Sequence, residues 1–158
     1  MSEHRLVAVT LDPDSLAPSP NADIEHERTI AIFDLIEANQ FEVEGKDEGP
    51  YALELALREG RLVFSARRAA DAEEVRAVIL SLTGFRRIIK DYFLVCDSYF
   101  DAIRHATPAH IEAIDVGRRS LHNQGSALLE QRLKGKFRID FDTARRLFTL
   151  ICALQASR

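Results

Sequence analysis

The stretch from Phe85 to Leu133 constrains the fold of this chain more than any other. Phe85, Ile89, Tyr92, Cys96, Tyr99 and Ile103 are spaced 4-3-4-3-4, the apolar seam of a helix packed lengthwise against other helices. A second pattern follows Ala106-Thr107-Pro108, where threonine at the N-cap and proline at the first helical position are a restart signal. In it Ile111, Ile114, Leu121 and Leu128 keep the rhythm, and Arg118 and Gly125 occupy the two seam positions between them. A charge and a glycine on a face that should be apolar are where function would show.

The rest of the chain reads as strands followed by one more helix. Arg5 to Leu11 is a β-branched strand that ends at Asp12-Pro13, and Asp12 to Ala22, with Pro13, Pro18 and Pro20, reads as a loop. Asp23 is expected to cap a helix with Ile24, Ile32, Leu35 and Ile36 on its core stripe, stopping near Asn39. Tyr51, Leu53, Leu55 and Leu57 alternate with smaller or polar residues, and Glu59-Gly60 turns the chain into Arg61–Arg67, which predicts a hairpin with a two-residue loop. Arg76 to Leu82 reads as a third strand. Short connections predict an antiparallel meander with the N-terminal strand on one edge.

From Thr83 the chain is expected to be mostly helical, with Thr83 as the cap because Gly84 suits a helix interior poorly. Gly117 and Gly125 mark places where the second long helix could bend, each costing about 1 kcal/mol relative to alanine. Gly135 should end it. Phe137-Arg-Ile139 reads as a brief strand. A last helix starts at Asp140 or Asp142 and turns Ala144, Leu147, Phe148, Ile151 and Leu154 inward. The fold class is therefore α+β over one domain, residues 1–158: a small antiparallel sheet covered on one side by three or four helices.

At 158 residues a single domain buries roughly 70% of its unfolded surface, enough for a core without disulfides or metal. Cys96 and Cys152 sit in apolar helical runs and read as small core residues, and no CxxC points to zinc or redox chemistry. No secretory signal and no membrane-length apolar run is seen, so a cytosolic protein is expected. The charge is uneven: residues 1–79 carry 17 acidic and 8 basic side chains, and residues 80–158 carry 8 and 13. This split speaks to partners rather than fold.

Searching for chemistry excludes more than it finds. His105 and His110 lack the i, i+4 spacing of a helical metal pair, and His110-Ile-Glu112 lacks the PCxxC that completes a zinc deaminase site. No phosphate-binding glycine loop and no nucleophile elbow is present, and Asp140 and Asp142 are better read as helix caps than as an acid/base pair. No catalytic residue, metal or cofactor is expected. The constellation that stands out is Asp115, Arg118, Arg119, His122 and Asn123, within mutual i+3 or i+4 reach on one helix and flanked by Gly117 and Gly125. An Arg–His–Asn face could bind a carboxylate or phosphate, and an internal salt bridge between Arg118 and Asp115 is the plainer account. Arg86, Arg87 and Lys90 form a basic cluster that could meet an acidic partner. Without interleaved aromatics, and with a pI near 5.7, nucleic acid is not the expected partner.

Several motifs together carry a resemblance. They include Glu25-His-Glu-Arg28, Gly49-Pro-Tyr-Ala-Leu53, Arg61-Leu-Val-Phe64, Lys90-Asp-Tyr-Phe-Leu94, Ala113-Ile-Asp115, Gly117-Arg-Arg119, Leu121-His-Asn123 and the run Ile139 to Leu150. Over nearly its whole length the chain resembles a small alphaproteobacterial family of uncharacterised proteins. That family is taken to include AimB, a regulator that opposes assembly of the bacterial actin MreB. The resemblance implies a cytosolic, non-enzymatic interaction module affecting cell shape, with MreB or another cytoskeletal protein as partner. It implies no binding residues. The alternative is a small anion- or metabolite-binding protein, or an enzyme, using Arg118, Arg119, His122 and Asn123. A homodimer built on the heptad seam is possible, and an intramolecular helix pair satisfies that seam equally.

Overall fold

The computed structural model describes residues 3–15 and 22–156. The proline segment containing Pro18 and Pro20, and the side chains of Asp23 and Ile24, lie outside the described residues. In chain order the elements are β1 (Leu6–Leu11), a 3-10 turn (Pro13–Ser15), α1 (Ala22–Glu37), β2 (Phe41–Val43), β3 (Tyr51–Arg58), β4 (Arg61–Arg68), β5 (Glu74–Ser81), α2 (Phe85–His105), α3 (Pro108–Leu133), β6 (Phe137–Ile139) and α4 (Phe141–Ala156).

The main sheet has the order β1-β3-β4-β5, so the N-terminal strand lies at an edge and β3, β4 and β5 form the expected antiparallel meander. One expectation is overturned. β1 runs parallel to β3, which makes the sheet mixed rather than antiparallel. The reason is the path between them: β1 returns to the sheet through α1, and a helical crossover is how adjacent strands come to point the same way. The Glu59–Gly60 turn is as tight as the sequence predicts, with φ of +53° and +74° at its two residues.

Register explains the core. Leu53, Leu55 and Leu57 stand opposite Ala66, Phe64 and Leu62, and Leu62 and Phe64 in turn face Leu80 and Val78. All are buried, while Ile79 on the other face is open to solvent. The period of two along each strand thus gives one face to the helices and leaves the other more open to solvent, although Ala56 and Ser65 on it are buried. β2 and β6 form a separate antiparallel ribbon in which Phe41 pairs with Ile139 and Val43 with Phe137. Its Phe41 ring packs on both Tyr51 and Phe137. Arg76 ties this ribbon to the main sheet by donating to the carbonyls of Glu44 and Lys136.

The helices follow the sequence with one exception. Thr107 caps α3, accepting from the His110 amide at 3.3 Å with Pro108 in the first turn, and α3 runs unbroken through both of its glycines. Asp140 is the cap of α4, its Oδ1 accepting from the Thr143 amide at 3.0 Å. All five predicted α4 core residues are fully buried. Thr83 does not cap α2. Gly84 takes the cap position with φ of +91° and no side-chain bond, and the Thr83 hydroxyl meets Ser81 instead. At this backbone conformation glycine is the favoured residue, so the cap threonine is displaced by one position. Cys152 is buried in α4, and Cys96 is half-buried against the same core. Among the described residues no helix is long and apolar enough to cross a membrane.

Candidate functional site

The predicted cluster on α3 is first of all an ion-pair network. Asp115 Oδ1 accepts from Arg118 Nε at 3.0 Å and from a second nitrogen of the same guanidinium, while its Oδ2 lies 3.1 Å from Arg119 Nε. Hydrogen bonding from Arg118 holds the Asp115 carboxyl below the usual carboxylate range. The Arg118 guanidinium also lies over the Tyr99 ring, 5.0 Å from its centre, so α2 fixes it from behind. The i, i+3 spacing places these groups together on α3, as the sequence implies.

His122 faces a different neighbour. Its Nε2 is 2.8 Å from the Thr149 hydroxyl on α4, and that hydroxyl in turn donates to the Arg145 carbonyl at 3.2 Å. A hydroxyl has one proton to give, so the imidazole must be the donor to Thr149, which fixes the proton on Nε2. Ser126 spends its own proton on the His122 carbonyl at 2.7 Å and stays 3.5 Å from Nδ1. The ring packs between Tyr92 and Phe148, at 5.4 and 5.2 Å between centres. Burial, with the charges of Arg145 and Arg118, lowers its pKa to about 4. His122 is therefore neutral near pH 7 and serves as a tether between α3 and α4.

Around these residues the four helices leave a cleft of about 420 Å³. Helix α3 lines it with Arg118, Arg119 and His122, and α4 adds Arg145, Arg146 and Thr149. On the opposite wall α1 places Glu27, Ile30 and Asp34, with Tyr92 contributed by α2 and Asp142 by the first turn of α4, so carboxylates and guanidinium groups face the same cleft. Asn123 is not part of it. That side chain borders a separate shallow depression with Val116 and Phe141, which Arg119 also touches. Of the five predicted residues, then, three line the cleft, Asp115 stands behind them as counter-ion, and Asn123 points elsewhere.

The α4 residues were not legible as site residues. Arg145 and Arg146 interrupt an otherwise apolar helix, the one signal that could have raised them, but their position opposite α3 depends on packing between segments 27 residues apart. Their states differ. Arg146 donates to the Ala38 carbonyl at 2.8 Å. Arg145 makes no ion pair among the described residues, and its Nε is buried without a hydrogen-bond partner.

Gly125 serves packing. A β-carbon there would collide with the Phe148 ring, so the glycine lets α3 and α4 close, whereas Gly117 faces open space. The basic cluster of Arg86, Arg87 and Lys90 is exposed along the first turns of α2. Arg87 meets Asp91 only at 3.9 Å, and Arg86 borders a small depression beside the Glu59–Gly60 turn. Direct ion pairs between the two halves of the chain are few: among the described residues only Arg138, with Glu42 and Glu44, pairs across them. Also among the described residues, no group of three or more His, Cys, Asp or Glu side chains is placed to hold a metal ion.

Fold and site define an α+β protein with a four-helix cleft, lined by both arginines and carboxylates, at the root of a helical hairpin. The model of the uncharacterised protein family UPF0262 matches residues 3–157, and the chain belongs to that family. It is 59% identical to a UPF0262 protein of Hyphomonas neptunium, over all of this chain and 96% of that one. A UPF0262 protein of Agrobacterium fabrum is 59% identical, over 96% and 95% of the two chains. One from Nitrobacter winogradskyi is 58% identical, over 97% and 90%. No solved structure matches the chain.

Proposed function

We propose that this chain is a non-enzymatic interaction module whose α2–α3 hairpin is the arm offered to a protein partner. The observation that carries the reading is the way the α2 seam loses its cover. Phe85, Ile89 and Tyr92 are buried at the root of the arm, Cys96 and Tyr99 are half-buried, and Ile103 near the tip is 52% exposed. On α3 the facing Ile111 and Ile114 are likewise only partly covered, and Leu94 and Val116 are more than half exposed. A heptad seam that is apolar to its end and open over its outer half can accept another helix or a groove-bearing surface.

The basic residues support the same reading. Arg86, Arg87 and Lys90 lie at the root of the arm, where they could steer an acidic partner toward it. The family resemblance makes the bacterial actin MreB the first partner to test, with the module acting as a regulator of its assembly and of cell shape.

The test is co-sedimentation of purified MreB filaments with the full chain at low and high salt. The expected result is less pelleted MreB, an effect that weakens as salt rises. Ile103→Asp with Ile114→Asp should abolish it, and the triple alanine variant of Arg86, Arg87 and Lys90 should reduce it. Unchanged sedimentation at saturating protein rejects MreB as partner. A captured partner that binds the double aspartate variant as well as the parent chain rejects the arm.

A further inference from the structure

We infer that the four-helix cleft is a binding site for a small ligand bearing a carboxylate or phosphate, with Arg145 as its anchoring residue. This stands apart from the arm and its partner, because its anchoring residue and the observation behind it are different.

That observation is the difference among four neighbouring guanidinium groups. Arg118 and Arg119 share Asp115, and Arg146 is spent on the Ala38 carbonyl. Arg145 alone of the four makes no side-chain hydrogen bond or ion pair among the described residues. Arg145 lines the cleft, and its planar fork of donors is the shape that a carboxylate or phosphate satisfies with two bonds at once.

The surroundings narrow the ligand. The cleft's 420 Å³ falls in the range of about 300–1,000 Å³ that holds small molecules. Tyr92 and Ile30 give it apolar wall, which inorganic ions would leave unused. Glu27 and Asp34 on α1 and Asp142 at the start of α4 also line it. These carboxylates would repel a long polyanion such as nucleic acid, so a compact ligand with one or two charges is selected. Thr149, already accepting from His122 and donating to Arg145, holds the α4 backbone in register beside the anchoring group.

The experiment is a two-dimensional amide NMR titration of the full chain with inorganic phosphate and, separately, with succinate, at constant ionic strength. Saturable shifts centred on Arg145, Thr149 and His122 are expected for at least one probe. Saturation by phosphate alone assigns a phosphate-bearing ligand, and saturation by succinate alone a carboxylate. Both together mark a site that accepts either. Arg145→Gln should weaken binding about tenfold or more, and Arg104→Gln, an equal charge loss on the exposed end of α2, should leave it unchanged. Arg145→Lys keeps the charge without the fork and should also bind more weakly, so it decides the matter if the glutamine variant does not fold. Shifts that stay linear and scattered for both probes, or variants of Arg145 that bind as the parent does, would overturn the assignment.

Discussion

The Phe148 ring rests directly on the backbone of Gly125, with no room between them for a β-carbon. This contact sets the separation of α3 and α4 and so the width of the cleft beside it. Phe148 is fully buried in the core. Gly125→Ala should therefore lose about 1–3 kcal/mol from overpacking despite the better helix propensity of alanine. Gly117→Ala, on the same helix but facing open space, should gain about 0.5–1 kcal/mol. Urea denaturation of the two variants checks the opposite signs.

His122 gives the protein an acid sensitivity with a defined direction. Its folded pKa is lowered to about 4, through burial first and then Arg145 and Arg118, against about 6.5 in the unfolded chain. Between those values the unfolded state binds the proton and the folded state does not, so stability is full above about pH 6.5 and falls as the pH drops toward 4. The loss is on the order of 2–3 kcal/mol. His122→Gln, which can still donate to Thr149, should flatten this part of the profile. Denaturation midpoints measured from pH 7 to 4 would show it; an equally steep decline in the variant would assign the sensitivity to other groups.

Asn39 holds the edge strand to α1. Its Oδ1 accepts from the Leu6 amide at 2.7 Å, and its Nδ2 donates to the carbonyls of Leu6 and Leu35 at 3.0 and 2.6 Å. Asn39→Ala leaves three part-buried backbone groups to find other partners and should cost about 2–3 kcal/mol. Asn39→Asp keeps the acceptor but sets a carboxylate oxygen against the Leu6 and Leu35 carbonyls, and should cost at least as much. Hydrogen exchange at the Leu6 amide should rise most in the alanine variant.

The hairpin turn is open to improvement. Glu59 adopts φ of +53°, a conformation that costs roughly 1 kcal/mol for a residue with an ordinary side chain. Glu59→Asn, which suits the first position of such a turn before Gly60, should raise stability by about 0.5 kcal/mol. Gly60→Ala should lower it by about 1 kcal/mol. Thermal midpoints of the pair are the measurement.

What the sequence revealed depended on how local each signal was. The hairpin around Glu59-Gly60, the Thr107-Pro108 restart and the inward face of α4 are set by residues within a few positions of one another, and all three were legible. The Asp115–Arg118 pair was legible for the same reason. The parallel pairing of β1 with β3 was not, because nothing in either strand states which neighbour it will meet after a long crossover. Of the β2–β6 ribbon the sequence showed only β6, at Phe137–Ile139; β2 and the pairing were not legible, because three-residue strands so far apart in the chain do not signal each other. The cleft was half visible. Its α3 wall follows from helical spacing, but Arg145, Arg146 and Thr149 reach it only through the packing that Gly125 and Phe148 permit.

The arm formed by α2 and α3 separates two kinds of selection. Its root supplies Phe85, Ile89, Leu129 and Leu133 to the common core, and change there is judged by whether the chain folds at all. Its outer portion adds little to that core, so residues such as Ile103 and Val116 can be rewritten at small thermodynamic cost. A lineage could thereby retune what the arm touches while the scaffold beneath it stays fixed. Where those tip residues are nonetheless kept, folding would not be what keeps them.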